Sequence, residues 1–318
     1  MAHWLGMDVG GTNLRLAVIA YDALSHKPPK VLEEMRVQAD FAKLCQAHQS
    51  APHEAWQAIV NSMAMAIRSA LANYPEVRGV GVGFPGFIEP DTQKIVSSPN
   101  LPGLSMVDLS ADLSHLIGLP VRTENDALAA AYGEYALRAK QLDSLIYLGL
   151  GTGVGGGLVL SGQPVTGQHG VAMEVGHLIV KPHGRLCGCG NRGCMEQYAS
   201  ASAVSLSYFE ASGQHKTAAA IAALAQAGDA AAMAAYALAG ASLAQALAQV
   251  LKVLDISQVV IGGGMSAAWP LMARAFDQQL AEDLIPVLRG KIVLSVSEAA
   301  DQAGMLGAAM LAQARGRH

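Results

Sequence analysis

Apolar positions along the chain follow two periods, and the changes of period mark the elements. Trp4 to Val9 and Leu14 to Ala20 are apolar runs joined by Gly10-Gly11, which predicts a β-hairpin. Ile59, Met63, Ile67 and Leu71 recur every four residues and predict an amphipathic helix. Val80, Val82 and Phe84 alternate with Gly79, Gly81 and Gly83, a strand that another backbone or a ligand can approach closely. A long loop carrying Pro85, Pro90, Pro99 and Pro102 follows. Val121 to Glu124 predicts a short strand, and an Ala-rich helix runs from about Asn125 to Leu137. Ser144 to Leu160 reads as strand, glycine turn, strand. Leu243, Leu247, Leu251 and Leu254 share one helical face, Gln258 to Ile261 is a buried strand, and a last helix covers about Asp301 to Gln313. Strand–turn–strand units with glycine turns therefore occur twice, near residues 10 and 153. This predicts two related α/β domains with a cleft between them.

The bulk numbers narrow the class. A length of 318 residues fits about two domains, and 52% hydrophobic with 14% charged residues is a globular composition. A net charge of −4 offers no basic stripe for nucleic acid or an anionic membrane. No uninterrupted apolar run reaches the length of a membrane span, and the N-terminus shows no basic region or cleavage site of a signal peptide. Three of the four cysteines lie between 187 and 194, which suggests metal in a reducing compartment, not a disulfide framework. The expectation is a cytoplasmic protein without nucleic-acid or membrane partners.

Several segments carry candidate chemistry. In Asp8-Val9-Gly10-Gly11-Thr12-Asn13, a turn without side chains at two positions exposes backbone N–H groups to phosphate oxygens. Asp8 is placed to hold Mg²⁺ and Thr12 to add a hydroxyl; an ordinary hairpin turn is the alternative. Gly151-Thr152-Gly153 lies in a glycine-dense stretch from Gly149 to Gly157, which close approach of a polyanion explains better than a plain turn. Gly262-Gly263-Gly264 is a third nucleotide contact or a tight strand-to-helix turn. Asn125-Asp126 starts a helix, where such residues cap the backbone and where a carboxylate can also serve as a base. Cys187, Cys189 and Cys194 alternate with glycines, so a tight loop can turn its sulfurs onto one centre. With His177 or His183 they complete a closed tetrahedral zinc site. Glu174 and Glu196 flank this loop; carboxylates held rigidly make good acceptors for paired hydroxyls such as a sugar's, and ordinary surface glutamates are the alternative.

Together these segments resemble the family of sugar kinases and repressors named for repressor, open reading frame and kinase. The resemblance runs from Leu5 to Leu311, and its most distinctive part is Glu174-Val175-Gly176-His177 followed by Cys187-Gly188-Cys189-Gly190-Asn191-Arg192-Gly193-Cys194. It implies a two-domain actin-like, ribonuclease-H-like kinase fold, usually dimeric. Residues 1–122 would form the small domain, completed by a C-terminal helix at 302–318, and residues 123–301 the large one. The resemblance further implies ATP and a hexose as substrates, with Mg²⁺ and a structural zinc. Asp126 would be the catalytic base, and Asn100, Asn125, Asp126, Glu174, His177 and Glu196 would hold the sugar. The three glycine segments would hold ATP, and His177 would be the fourth zinc ligand. Two positions depart from the family pattern: Met173, where a small residue usually precedes the Glu, and Leu128, where many members carry Asn. The stretch from Gly188 to Ser200 looks most like the glucokinase branch, with allose, N-acetylglucosamine or N-acetylmannosamine kinases as alternatives. A sugar-responsive transcriptional repressor lacking its DNA-binding domain is the distant alternative: the family's repressors carry an N-terminal helix-turn-helix of several tens of residues, for which the start of the motif at Asp8 is expected to leave no room.

Overall fold

A computed structural model describes residues 2–10, 13–21, 28–98, 101–138, 143–299 and 302–315, with 314 and 315 as backbone only. The expected hairpin is β1 (Ala2–Val9) and β2 (Asn13–Tyr21), paired antiparallel from Ala2↔Tyr21 to Val9↔Leu14. β3 (Lys30–Gln38) adds to its outer edge, antiparallel to β2. Helices α1 (Phe41–Ala47) and α2 (Pro52–Asn73) lead into β4 (Val77–Phe84), which returns parallel to β1. The proline-bearing segment is not wholly a loop, since β5 (Phe87–Ile88) and β6 (Ile95–Ser97) pair within it. After α3 (Leu109–Ile117), β7 (Val121–Asn125) lies parallel to β4 and runs straight into α4 (Asp126–Arg138). The first sheet is ordered β3-β2-β1-β4-β7.

The second sheet repeats this plan. β8 (Leu145–Leu150), β9 (Val154–Leu160) and β10 (Gln163–Pro164) are followed by α5 (Glu196–Ala199), α6 (Ala201–Ser212), α7 (Ala218–Gln226) and α8 (Ala230–Leu254). β11 (Gln258–Gly262), α9 (Trp269–Asp283), β12 (Val293–Val296) and α10 (Gln302–Arg315) complete the chain. The order is β10-β9-β8-β11-β12, with β11 parallel to both β8 and β12. By length and composition α8 is apolar enough to cross a membrane. Here it is a core helix, burying Tyr236, Leu243, Leu247 and Leu251 where it packs on α6, α7 and α9.

The chain divides into two compact units, one of residues 1–144, 157–172 and 301–318, the other of 145–156 and 173–300. Residues 123–144 thus group with the first unit, where the sequence reading changes domain at 122. The reason is local: β7 is hydrogen-bonded to β4, and α4 packs on α10. In the first unit, one sheet face buries Leu5, Met7, Val80 and Val82 in a core with Ile59, Met63, Ile67 and Leu113. The other face takes α10 at backbone distance. A Cβ on Gly6 would lie 1.9 Å from the Met305 carbonyl oxygen, and one on Gly81 would lie 1.9 Å from that of Ala308. No side chain other than hydrogen fits those two positions, which explains Gly6 and Gly81 as packing.

Candidate active site

In the first unit the parallel strands β1, β4 and β7 end side by side, the edge at which open α/β sheets bind ligands. Asp8 on β1 is opposite Gly83 on β4, and Phe84 is opposite Asn125 on β7. A Cβ on Gly83 would lie 3.6 Å from Asp126 Cα and 3.7 Å from Asp8 Oδ1, so the two carboxylate residues flank one glycine. Gly304, in the first turn of α10, is close enough that its Cβ would lie 3.2 Å from Asp8 Oδ1. Asp8 therefore sits against the positive end of a 14-residue helix. Gly10 N–H donates to the Asn13 carbonyl at 2.9 Å, closing the hairpin turn. Gly11, Thr12 and Asn100 lie outside the described residues.

Asn125 and Asp126 divide the work that the sequence left joined. Asn125 Oδ1 accepts from the Leu128 N–H at 3.0 Å, so Asn125 is the cap of α4. Its Nδ2 donates to the Gly86 carbonyl at 3.1 Å, fixing the turn after β4, and Ser98 Oγ donates to the neighbouring Pro85 carbonyl. Asp126 Oδ1 accepts the N–H of its neighbour Ala127 at 2.9 Å. Although the residue keeps partial solvent access, protein surrounds its carboxyl. Burial raises that carboxyl above the usual carboxylate range, opposed by the backbone N–H bonds of Ala127 and of Asp126 itself. Leu128, where a polar residue was the family expectation, is buried in the core.

The second unit gathers the remaining groups. Gly262 is opposite Gly149 in the β8–β11 pairing, and Gly263 (φ +79°) is pressed on Leu150, whose carbonyl oxygen would lie 2.4 Å from a Cβ. The Gly151–Gly153 turn and the Gly262–Gly264 turn are thus adjacent. Around Gly151 a Cβ would meet only the Gly153 carbonyl at 3.9 Å, and around Gly264 nothing within 4 Å. Packing does not require glycine at these two positions. Glu196 Oε2 accepts from the Val154 N–H at 3.0 Å, which holds this carboxylate on the first turn.

His177, Cys187, Cys189 and Cys194 converge, their donor atoms all within 4.8 Å of one another. His177 Nδ1 is 3.6 Å from Cys187 Sγ, and Cys189 Sγ is 3.6 Å from Cys194 Sγ. A tetrahedron with zinc bonds of ordinary length has S···S edges of about 3.8 Å and S···N edges of about 3.6 Å. The donor set and its spacing fit zinc. His177, not His183, joins the three thiols. Burial, with the neighbouring sulfurs adding to it, pushes the Cys194 thiol up to about 12, a penalty that a cation at the centre would reverse. The other ring nitrogen, Nε2, faces Glu174 Oε2 at 3.7 Å. Gln197 Nε2 donates to Cys187 Sγ at 3.7 Å. Met173 has φ +65°, a left-handed conformation that is strained for a side chain and favours glycine.

A match to the ROK family covers residues 4–315. The chain belongs to the ROK family. Among its relatives, a glucokinase of Thermotoga maritima is 30% identical over 326 residues, covering 98% of this chain and 97% of that protein. An N-acetylmannosamine kinase of Yersinia pseudotuberculosis is 31% identical, covering 99% of each. A ROK family glucokinase of Streptomyces griseus, solved in complex with glucose and AMPPNP, superposes with a TM-score of 0.79 at 29% identity, over 98% of this chain and 100% of that one. This ROK chain therefore has the family's mixed α/β, actin-like ATPase fold. The sequence pointed to Asp126 and to the metal cluster. It did not indicate the bond from Val154 to Glu196, which joins residues 42 apart and leaves no local pattern.

Proposed function

We propose that this protein is an ATP-dependent hexokinase that phosphorylates the 6-hydroxyl of a hexose, with glucose as the first choice of acceptor. The observation that carries the reading is Asp126, a carboxyl held at a helix start beside the strand ends, with proton affinity raised by burial. A base of that kind is matched to taking a proton from an alcohol near neutral pH. As the sugar O6 attacks the γ-phosphorus, its proton passes to Asp126. The bond from the γ-phosphorus to the β–γ bridging oxygen breaks, and ADP leaves. Asp8 would hold Mg²⁺, which supplies charge neutralisation at the phosphates when bound. Backbone amides at Gly10–Asn13, Gly151–Gly153 and Gly262–Gly264 hold the nucleotide. Asn100, Asn125, Glu174, His177 and Glu196 orient the sugar, a positioning role that accounts for much of the rate in phosphoryl transfer.

Zinc in this reading is structural. Three thiolates and one imidazole fill a tetrahedral shell and leave no position for activated water. His177 faces the cluster with Nδ1 and Glu174 with Nε2, so the metal side of the ring fixes the side that meets the sugar-binding carboxylate. The family resemblance supports a cytoplasmic homodimer with hexose and ATP as ligands.

Glucose is favoured by the glucokinase relative and by the Gly188–Ser200 stretch, and the N-acetylmannosamine kinase relative supports the alternative acceptor class. A coupled ADP-release assay over glucose, allose, mannose, fructose, N-acetylglucosamine and N-acetylmannosamine tests the choice. Glucose should give the highest kcat/KM. A clear preference for an acetamido sugar would replace glucose, and no turnover with any of them would refute the kinase.

A further inference from the structure

The Gly151–Val154 turn is bound to the segment that follows the last metal cysteine. Val154 N–H donates to Glu196 Oε2 at 3.0 Å, and the Ala201 N–H donates to the Gly151 carbonyl at 2.9 Å. Ser202 Oγ donates to the Thr152 carbonyl at 3.0 Å. A Cβ on Gly153 would lie 2.4 Å from the same Glu196 oxygen, so the turn and the carboxylate leave no space between them. Upstream of the cysteines the contact is equally close, since a Cβ on Gly176 would lie 2.4 Å from the Val154 carbonyl oxygen. Glu196 is two residues beyond Cys194, and Gln197 N–H donates to the Cys194 carbonyl at 3.0 Å. Hydrogen bonds and close contacts thus run without a break from the cluster to the turn.

We infer that Glu196 and Ser202 are positioning residues for the nucleotide turn, so that the metal-bearing segment and the turn act as one body. The inference rests on the reading of Gly151–Gly153 as a nucleotide contact. A glycine turn left to itself samples many conformations, and ordering it on binding weakens affinity. Three bonds from residues 196–202 hold it ready. Glu196 then does more than accept sugar hydroxyls: its one carboxylate ties the sugar side of this unit to the nucleotide side.

The test is the affinity of the full chain for Mg·AMPPNP and, separately, for glucose, by titration calorimetry, with zinc content and melting temperature measured on each variant. Glu196→Ala removes the acceptor for Val154 and should weaken Mg·AMPPNP by about 10–100-fold, as loss of a hydrogen bond to a charged group does. Glu196→Gln keeps an amide oxygen there. It should hold Mg·AMPPNP within about 3-fold while losing glucose affinity as the Ala variant does. Ser202→Ala, an exposed change, should weaken Mg·AMPPNP by about 3–10-fold, and Ser202→Thr should restore it. If Glu196→Ala loses its zinc or its fold, the Ser202 pair decides alone. Unchanged Mg·AMPPNP affinity in zinc-replete Glu196→Ala, or in Ser202→Ala when that pair decides, overturns the inference. A wild type that binds both ligands while the variants keep nucleotide affinity refutes only this proposal. A wild type that binds neither refutes the hexokinase reading itself.

Discussion

Replacing Asp126 by Asn should move activity and stability in opposite directions. The amide is nearly isosteric, and its oxygen can still accept the Ala127 N–H that the carboxylate takes at 2.9 Å. What disappears is the capacity to take a proton. A positioned base contributes roughly 10²–10⁴-fold, about 2.7–5.4 kcal/mol of transition-state stabilisation, so kcat should fall by that factor with the sugar KM little changed. Stability follows from burial. The folded carboxyl binds its proton more tightly than the reference value of 3.8, so the carboxylate form is the one the fold disfavours. Stability from this group is complete below 3.8 and declines as pH rises through the elevated folded value. Asn, neutral throughout, escapes that loss. Each tenfold gain in proton affinity corresponds to about 1.4 kcal/mol that the variant regains at pH 7.5. Urea unfolding at pH 7.5 should therefore show the variant more stable than its parent, with the gap closing as pH falls toward 3.8. Near-full kcat in Asp126→Asn would refute the base, and a variant less stable than wild type at pH 7.5 would refute the role of burial.

Two further outcomes follow from the second unit. Gly264→Val should raise the KM for ATP while leaving the melting temperature unchanged, because a Cβ there meets no protein atom within 4 Å; Gly263 is unsuitable for this experiment, since its φ of +79° and its contact with Leu150 make any side chain a folding defect. Cys189→Ser should lose zinc, lower the melting temperature and raise the hexose KM together, because part of the metal's binding energy is folding energy; a zinc-free variant with unchanged hexose KM would contradict the structural role.

How much was legible in the sequence depended on how local each signal was. The β1–β2 hairpin, α2, α8 and β11 follow their apolar periods, and the Cys/His cluster announces itself because its cysteines lie within eight residues of one another. β3 was missed because its alternation is blurred: Glu33 lies on the half-buried side and Leu32 on the exposed one, as an edge strand permits. The β5–β6 pairing was hidden by the prolines around it. Gly81 was visible, but its cause was not, because α10 arrives from more than two hundred residues away to press on it. The same limit applies at the site. Asn125 and Asp126 stand together in the chain, and only the backbone of α4 reveals that the first caps the helix while the second keeps a buried carboxyl.

Identification of the product tests the central claim most directly. Incubated with ATP, Mg²⁺ and glucose, the wild-type protein should yield one hexose phosphate for each ADP, with phosphorus-31 and carbon-13 spectra placing the phosphate on the 6-hydroxyl. ADP accompanied by inorganic phosphate and unmodified glucose would contradict it.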